Sequence, residues 1–407
     1  MRGMLDGVRV LDFTANVSGP ATTTFLVDMG AEVIKIEKPG LGDDSRLFPP
    51  HLNGFSTPFI VMNRGKKGMV IDLKKAEGKQ LFKELVSNAD VLVENHKPGT
   101  MEKYGLGYDE LEKINPKLVM LSLSGYGQYG PLADRPAYDS IIQARTGFMA
   151  TTGFPDGPPT KGGPILIDLA TAMQAAFGIC AALYAREKTG KGEFLDMSMY
   201  DVGINLMAGT WTNYTVTGKS QQRTGNRYPY VTPFDTYKAK DGYFMICSAG
   251  DITFHKICDA MGHPEMKTDE RFNNLFTRNA NEPVLTATIQ EWVSKHTLEE
   301  LEAISVKFDF PGAPVLEVSE VIEHPHTKAR GLHVNVEQPN RGTVDIYGPP
   351  LKARNSSIKV QGPAPEHGQH TEWVLKEILN KSESEIDEII ETGAVGTVKT
   401  RESMAVK

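Results

Sequence analysis

Short apolar segments of strand length alternate with helix-length segments through the first 200 residues, and this alternation constrains the fold more than any other feature. Val8 to Phe13 (VRVLDF) is a short apolar strand. The turn Thr14 to Gly19 leads into Pro20, which suits the first turn of a helix because an N–H there would lack an intrahelical partner anyway. The helix continues from Ala21 to Met29 and stops at Gly30, and Glu32 to Glu37 (EVIKIE) returns to strand. Further strands are predicted at Lys67 to Leu73, Val91 to Glu94, Leu118 to Leu123 and Gly192 to Met199. Helices are predicted at Ala76 to Asn88, Tyr108 to Asn115 and Leu169 to Thr189. Strand–helix–strand units pair their strands in parallel through right-handed crossovers. Their repetition predicts an α/β fold with a doubly wound parallel sheet.

Residues 131–165 change character, with Pro131, Pro136, Pro155, Pro158, Pro159 and Pro164 among glycines. Apolar and aromatic residues persist through this stretch, so it reads as a long ordered loop that carries function. Residues 220–325 form a second, smaller α+β unit: a hairpin over Tyr237 to Cys247 turns at Lys240-Asp241-Gly242, and helices follow at Phe254 to Met261, Pro283 to Ser294 and Thr297 to Ser305. Strand returns at Phe310 to Leu316. Beyond His324 the chain is expected to rejoin the first unit, giving boundaries at 1–219, 220–325 and 326–407, with residues 393–407 frayed. At about 150 residues per domain, a chain of 407 residues fits such a division.

The charge balance, 44 Lys+Arg against 51 Asp+Glu, leaves −7 and gives no basic footprint for nucleic acid. No apolar run reaches the roughly 18 residues of a membrane span. The richest segment, Thr171 to Ala185, is interrupted by Gln174 and Gly178 and reads as a buried helix. The N-terminus lacks a signal-peptide pattern, and Cys180, Cys247 and Cys258 are widely spaced. The expectation is a cytoplasmic chain with no disulfide framework.

Several motifs carry weaker chemistry than their letters suggest. Gly125-Tyr126-Gly127-Gln128-Tyr129-Gly130 has the GxGxxG form, but Pro131 and Pro136 follow where a dinucleotide site needs a helix. It reads instead as a glycine-permitted turn at a strand's carboxyl end. The first strand–helix turn, Thr14 to Gly19, has no GxxxxGK and supports no P-loop. His324-Pro325-His326 and His367 with His370 lack the cysteines or carboxylates of a zinc site, so no metal is expected. Lys38, Lys74, Lys97 and Lys103 all lie just beyond the carboxyl ends of predicted parallel strands. Together they suit phosphates, and each alone reads as a solvated surface lysine. Asp168 precedes the long helix, where it serves either as the N-cap or as a carboxylate kept ionised by the helix dipole and available as a nucleophile. Asp196 and Asp201 are rival carboxylates on pattern alone.

Taken together, Leu5 to Phe13 with Gly19-Pro20 and Met29 to Glu37, then Asp72-Leu73-Lys74, Ala89 to Asn95, Asn115 to Leu118 and Ser124 to Gly127, resemble the class III CoA-transferases. This is the CaiB/BaiF type, the family of formyl-CoA transferase and carnitine CoA-transferase. The resemblance continues through Ala137-Tyr138-Asp139, Gly157-Pro158-Pro159, Asp168, Gly190 to Glu193 leading to Asp201, His324-Pro325, Ala329-Arg330-Gly331, Ala364-Pro365 and Gly368 to Thr371. It implies a Rossmann-like large domain built from both chain ends, a smaller domain between them, and two identical subunits interlocked like links of a chain.

The resemblance makes Asp168 the nucleophile. It implies attack on a donor acyl-CoA, an aspartyl mixed anhydride, an aspartyl-CoA thioester, and release of CoA onto an acceptor carboxylic acid. Acyl-CoA is then a substrate, and no permanently bound cofactor or metal is implied. The carried-over CoA contacts are Val17, Ser18, Lys38, Ile71, Lys74, Asn95, His96, Lys97, Lys103, Tyr104, Ala137 and Tyr138. Val17 replaces the polar residue of formyl-CoA transferase, which argues against oxalate as acceptor. That enzyme's glycine-rich flap is reduced here to Ser248-Ala249-Gly250-Asp251. The rival is a 2-methylacyl-CoA racemase, whose histidine falls on Tyr138, and a phenol with a pKa of about 10 is a poor base. The remaining alternative is a non-catalytic CoA-binding subunit, against which Asp168 is retained.

Overall fold

The computed structural model describes residues 1–398. Its central sheet is built from β1 (Arg9–Phe13), β2 (Glu32–Glu37), β3 (Lys67–Ile71), β4 (Val91–Glu94), β5 (Val119–Ser124), β6 (Glu193–Ser198) and β7 (Val395–Gly396). The strand order is β7-β3-β2-β1-β4-β5-β6. Strands β1 to β6 pair in parallel, and β7 adds an antiparallel edge, with Val395 opposite Ile71. The order 3-2-1-4-5-6 is that of the doubly wound dinucleotide-type fold.

A parallel sheet is covered on both faces, so its strands are apolar at odd and even positions alike. Leu11, Ile34, Met69, Leu92 and Met120 point to one face. There they meet Leu81, Phe82 and Leu85 of α2 (Ala76–Ser87), together with Val374, Leu375 and Ile386 from near the C-terminus. Val10, Val33, Val91, Val93 and Leu121 point to the other face, against Leu26 and Val27 of α1 (Ser18–Asp28) and Ile167, Ala175 and Ile179 of the long helix. Each fully buried aliphatic side chain contributes about 1.5–3 kcal/mol, which is why the alternation in the sequence so strongly constrains the fold.

Four helices complete the elements near the site: α3 (Thr100–Tyr104), α4 (Tyr108–Ile114), α5 (Asp139–Arg145) and α6 (Leu166–Thr189). The stretch 131–165, expected as a loop, therefore contains α5 and a short helix over Phe148–Thr151. The long helix begins at Leu166, three residues before its predicted start. By length and composition α6 could cross a membrane, contrary to the expectation that no segment would. Its buried residues Ile167, Ala175 and Ile179 nevertheless pack against the sheet as those of a core helix. The predicted fraying at the C-terminus is also corrected in part: Ala394 and Val395 are buried, and Asp72 N–H donates to Ala394 O at 2.8 Å. Residues 399–407 lie outside the described residues.

The chain divides into two compact units. One comprises residues 1–146 and 163–208 and the chain from Pro325 onward; the other comprises residues 147–162 and 209–324. The division falls at 208/209 rather than 219/220, and 147–162 belongs with the second unit. That unit has a three-stranded antiparallel sheet in the order Gly312–Pro314, Tyr243–Cys247, Phe234–Lys238. Phe244, Phe254, Ile257, Leu285 and Ile289 fill its core. The predicted hairpin is present, closed by Ala239 N–H donating to Gly242 O at 2.9 Å.

Candidate active site

At β1 the chain reverses the direction in which strands are added, β2 lying on one side and β4 on the other. Loops that leave β1 and β4 diverge there, and open α/β sheets bind ligands in that crevice. Asn95, the first residue after β4, ties the two loops together. Its Nδ2 donates to Ala15 O and its Oδ1 accepts from Ala15 N–H, both at 2.8 Å. Asn16 takes a positive φ of 68°, a conformation that asparagine tolerates better than most side chains. This bend places Val17 at the N-cap of α1 and Ser18 at its first residue.

A cavity of about 340 Å³ opens at this point. Val17, Ser18, Asn95, Ala137, Tyr138 and Asp168 line it, together with Asn16, Phe48, Leu123, Ser124, Gly125, Asp139, Ser140, Ile165 and Met199. Its size is within the range of small-molecule sites. A Cβ on Gly125 would come within 2.3 Å of the Ala137 Cβ, so the glycine lets the 125 and 137 backbones approach. A larger open groove of about 630 Å³ lies between α2 and Glu383–Glu391. Glu77, Glu84, Glu385 and Glu388 line it, which suits no polyphosphate.

Asp168 sits inside the first turn of α6 rather than at its cap, a position held by Ile165. The capping carboxylate is Asp139, at the start of α5. Its Oδ2 accepts from Ile167 N–H at 2.7 Å and from Asp168 N–H at 3.2 Å. Burial and the neighbouring Asp139 carboxylate push Asp168 up to about 7, against an opposing hydrogen bond from the Ser18 side chain. The expectation of a carboxylate kept ionised by the helix dipole is thus corrected: near neutral pH the group is poised between its two forms. Asp139 was missed in the sequence as a site residue because its helix was read as loop.

Seven of the carried-over residues lie outside this cavity. The Ile71 side chain is buried in the core and paired to β7, so it offers a ligand no side-chain surface. His96 packs tilted against Phe13 at 4.3 Å between centroids, and burial pushes its imidazole down to about 4, so it is neutral at physiological pH. Tyr104 is half-buried against the core at the end of α3. Lys38, Lys74, Lys97 and Lys103 are exposed and follow β2, β3 and β4 on the same sheet edge as the cavity. Lys38 pairs with Asp44 at 3.1 Å and Lys97 with Asp134 at 3.4 Å. Exposed pairs of this kind hold by at most about 1 kcal/mol and yield readily to a phosphate. Asp196 accepts from Gln128 N–H, and Asp201 lies in the first turn of the helix Met199–Leu206; neither lines the cavity.

An α/β protein with a carboxylate poised near neutrality at its switch point, and lysines along the same edge, has the parts for covalent acyl transfer from a phosphorylated carrier. Residues 5–371 match the model of CoA-transferase family III. Acetyl-CoA:oxalate CoA-transferase of Acetobacter aceti is 44% identical over 352 residues, 86% of this chain and 89% of that protein. Succinyl-CoA–D-citramalate CoA-transferase of Chloroflexus aurantiacus is 36% identical over 386 residues, 94% and 96% of the two chains. The crystal structure of a CAIB/BAIF family protein from Brucella suis matches with a TM-score of 0.82 at 35% identity, covering 93% of this chain and 100% of that one. The chain belongs to CoA-transferase family III. It is a class III CoA-transferase, an enzyme that works between acyl-CoA and carboxylate acceptors, with CoA as part of its substrate.

Proposed function

We propose that Asp168 carries CoA covalently between the donor thioester and the acceptor acid. The observation that supports this most directly is its place on the cavity wall beside Ser18, with Asp139 holding its helix turn. The Asp168 carboxylate attacks the acyl carbonyl, the C–S bond breaks, and an aspartyl mixed anhydride and CoA thiolate form. The thiolate attacks the aspartyl carbonyl, which releases the donor acid and leaves an aspartyl-CoA thioester. The acceptor carboxylate then displaces the thiolate, and the thiolate takes the acceptor's acyl group from the second anhydride, which restores Asp168. Splitting the exchange in this way replaces one hard step by easier ones.

Val17, Ser18, Asn95, Ala137 and Tyr138 hold the thioester end of CoA in this reading, and Lys38, Lys74, Lys97 and Lys103 meet its phosphates. Tyr104 and the neutral His96 lie along the same loops, and Ile71 is left with a backbone contact only. The relatives' names point to a small dicarboxylic acid as acceptor. Val17 argues against oxalate and the Acetobacter relative's name argues for it, so oxalate belongs in any acceptor panel.

Two copies of the chain form the working enzyme. In the first unit, Met173, Phe177 and Tyr184 of α6 are exposed; in the second, the helix Ala208–Thr217 buries none of its residues and presents Trp211 and Tyr214. Exposed apolar surface of this kind marks an interface. Free cysteines at 180, 247 and 258 fit a reducing cytoplasm.

Neutralising the second carboxylate tests the electrostatics. In Asp139→Asn the acid limb of the kcat/KM profile moves to lower pH, because Asp168 then ionises without a like charge beside it. An unmoved limb would place the titration elsewhere.

The function itself is tested by mass spectrometry in D₂O, with acyl-CoAs offered together with a mixture of carboxylic acids. New thioesters without α-deuteration establish transfer and name the acceptors. Deuterium at the α-carbon of an unchanged thioester would establish a racemase instead. No product from any pair would favour the non-catalytic subunit.

A further inference from the structure

The loop that carries Val17 and Ser18 to the cavity has no regular secondary structure of its own, yet its backbone groups are paired one by one with side chains of β1, β2 and the segments at Asp43 and Asn95. Thr14 N–H donates to Asp12 at 3.1 Å, and Thr14 O accepts from Lys35 Nζ at 2.9 Å. Ala15 is held at both ends by Asn95. Asn16 N–H, at the positive-φ bend, donates to Asp43 Oδ1 at 3.0 Å.

Lys35 and Asp43 are themselves an ion pair at 2.9 Å, with side chains 0% and 1% exposed. A lysine in the middle of a core strand is costly unless something requires it there. The thioester-transfer chemistry described above does not use it. Asp43 also accepts from Ser45 N–H and Oγ at 2.9 and 2.8 Å, and its own N–H donates to Glu37 at 2.9 Å. Glu37 in turn binds Arg46 through two hydrogen bonds. Lys66, paired with Asp12 at 2.8 Å, lies in the same charged cluster. The pair is thus anchored from β2 and from the 43–46 segment, and it contacts the loop at residues 14 and 16.

We propose that Lys35 and Asp43 are positioning residues for the reaction: they set the 14–16 backbone that brings Val17 and Ser18 to the cavity wall they share with Asp168. Neither residue lines the cavity, and both act through Ser18. Burial opposes ionisation of Asp43, but Lys35 and the N–H groups of Asn16 and Ser45 outweigh it and hold the carboxyl down at about 2, so the pair stays charged across the working pH range. The titratable and charged groups facing this device are Asp12, Glu37, Arg46 and Lys66, with His367 against Glu37 and His96 against Lys35, and Asp139 faces Asp168 itself.

The inference rests on Asp168 being the nucleophile, and the test separates the two readings. In Asp43→Asn, the acid limb of the kcat/KM profile moves up by about one pH unit or more, as expected for the loss of a hydrogen bond to a charged group. Ser18→Ala produces a shift of the same sign and size. Combining the two gives no more than Ser18→Ala alone, because Asp43 works through Ser18. A role confined to stability would lower Tm and leave the limb in place.

Asp43→Asn leaves a buried lysine unpaired and is at risk of not folding. Lys35→Met/Asp43→Asn removes both charges, keeps an acceptor for Asn16 N–H and loses the bond to Thr14 O, so the loop is still loosened and an upward shift is expected. A wild-type limb in the folded variants, or shifts that add to that of Ser18→Ala, overturns the inference. Activity in Asp168→Ala would overturn the nucleophile reading instead, whatever the Asp43 variants do.

Discussion

Asp168→Ala is expected to lower kcat by about 10⁴-fold or more, since removal of a covalent nucleophile eliminates the route rather than slowing one step. CoA affinity should stay within a few fold, because the lysines that meet its phosphates are untouched. Peptide mass spectrometry after a pulse of acyl-CoA should show an adduct on the Asp168 peptide in the wild type and none in the variant. Stability should move the other way. The folded state holds the Asp168 proton more tightly than the unfolded chain, whose carboxyl titrates near 3.8, so the folded form is favoured at low pH and loses that advantage as pH rises through about 7. The variant therefore gains in Tm relative to wild type at pH 8 and gains least at pH 4. Full turnover with no adduct in either protein would remove Asp168 from the chemistry.

The largest expected loss of stability comes from Lys66→Ala, at about 3–5 kcal/mol. The side chain is 0% exposed, and its three N–H groups are shared among four acceptors: Asp12 at 2.8 Å, and Pro20 O, Met62 O and Asn63 Oδ1 at 2.9 Å each. Its removal leaves the buried Asp12 without its main partner, while Pro20 O and Met62 O keep only the hydroxyls of Thr23 and Thr24 in place of the ammonium. Urea denaturation followed by circular dichroism should register this as a lower midpoint. A loss under about 1 kcal/mol would mean that water enters the cluster and replaces the ammonium. Since Asp12 also holds Thr14 and Thr23, the same variant should loosen the loop beside the cavity.

Short continuous apolar runs and the glycine and proline stops made β1 to β6 and most of the connecting helices legible, since local sequence sets both signals. The α5 helix was missed because prolines on both sides of it in the chain suggested an irregular loop. With α5 went Asp139, the residue that caps α6 and raises the pKa of Asp168. Edge strand β7 was missed because two residues carry no period, and its pairing with Ile71 is fixed by contacts more than 300 positions apart.

What the sequence determined by itself is the parallel sheet, its carboxyl edge with Lys38, Lys74, Lys97 and Lys103, and the placing of Asp168 against a long apolar helix. The tertiary structure alone decided which carboxylate caps that helix, that Lys35 and Lys66 are buried cations, and that Ile71 faces the core. Local patterning reports which face of an element is apolar, but pairing, burial and the resulting charge state depend on what the rest of the chain brings alongside. That is a long-range property no local window contains.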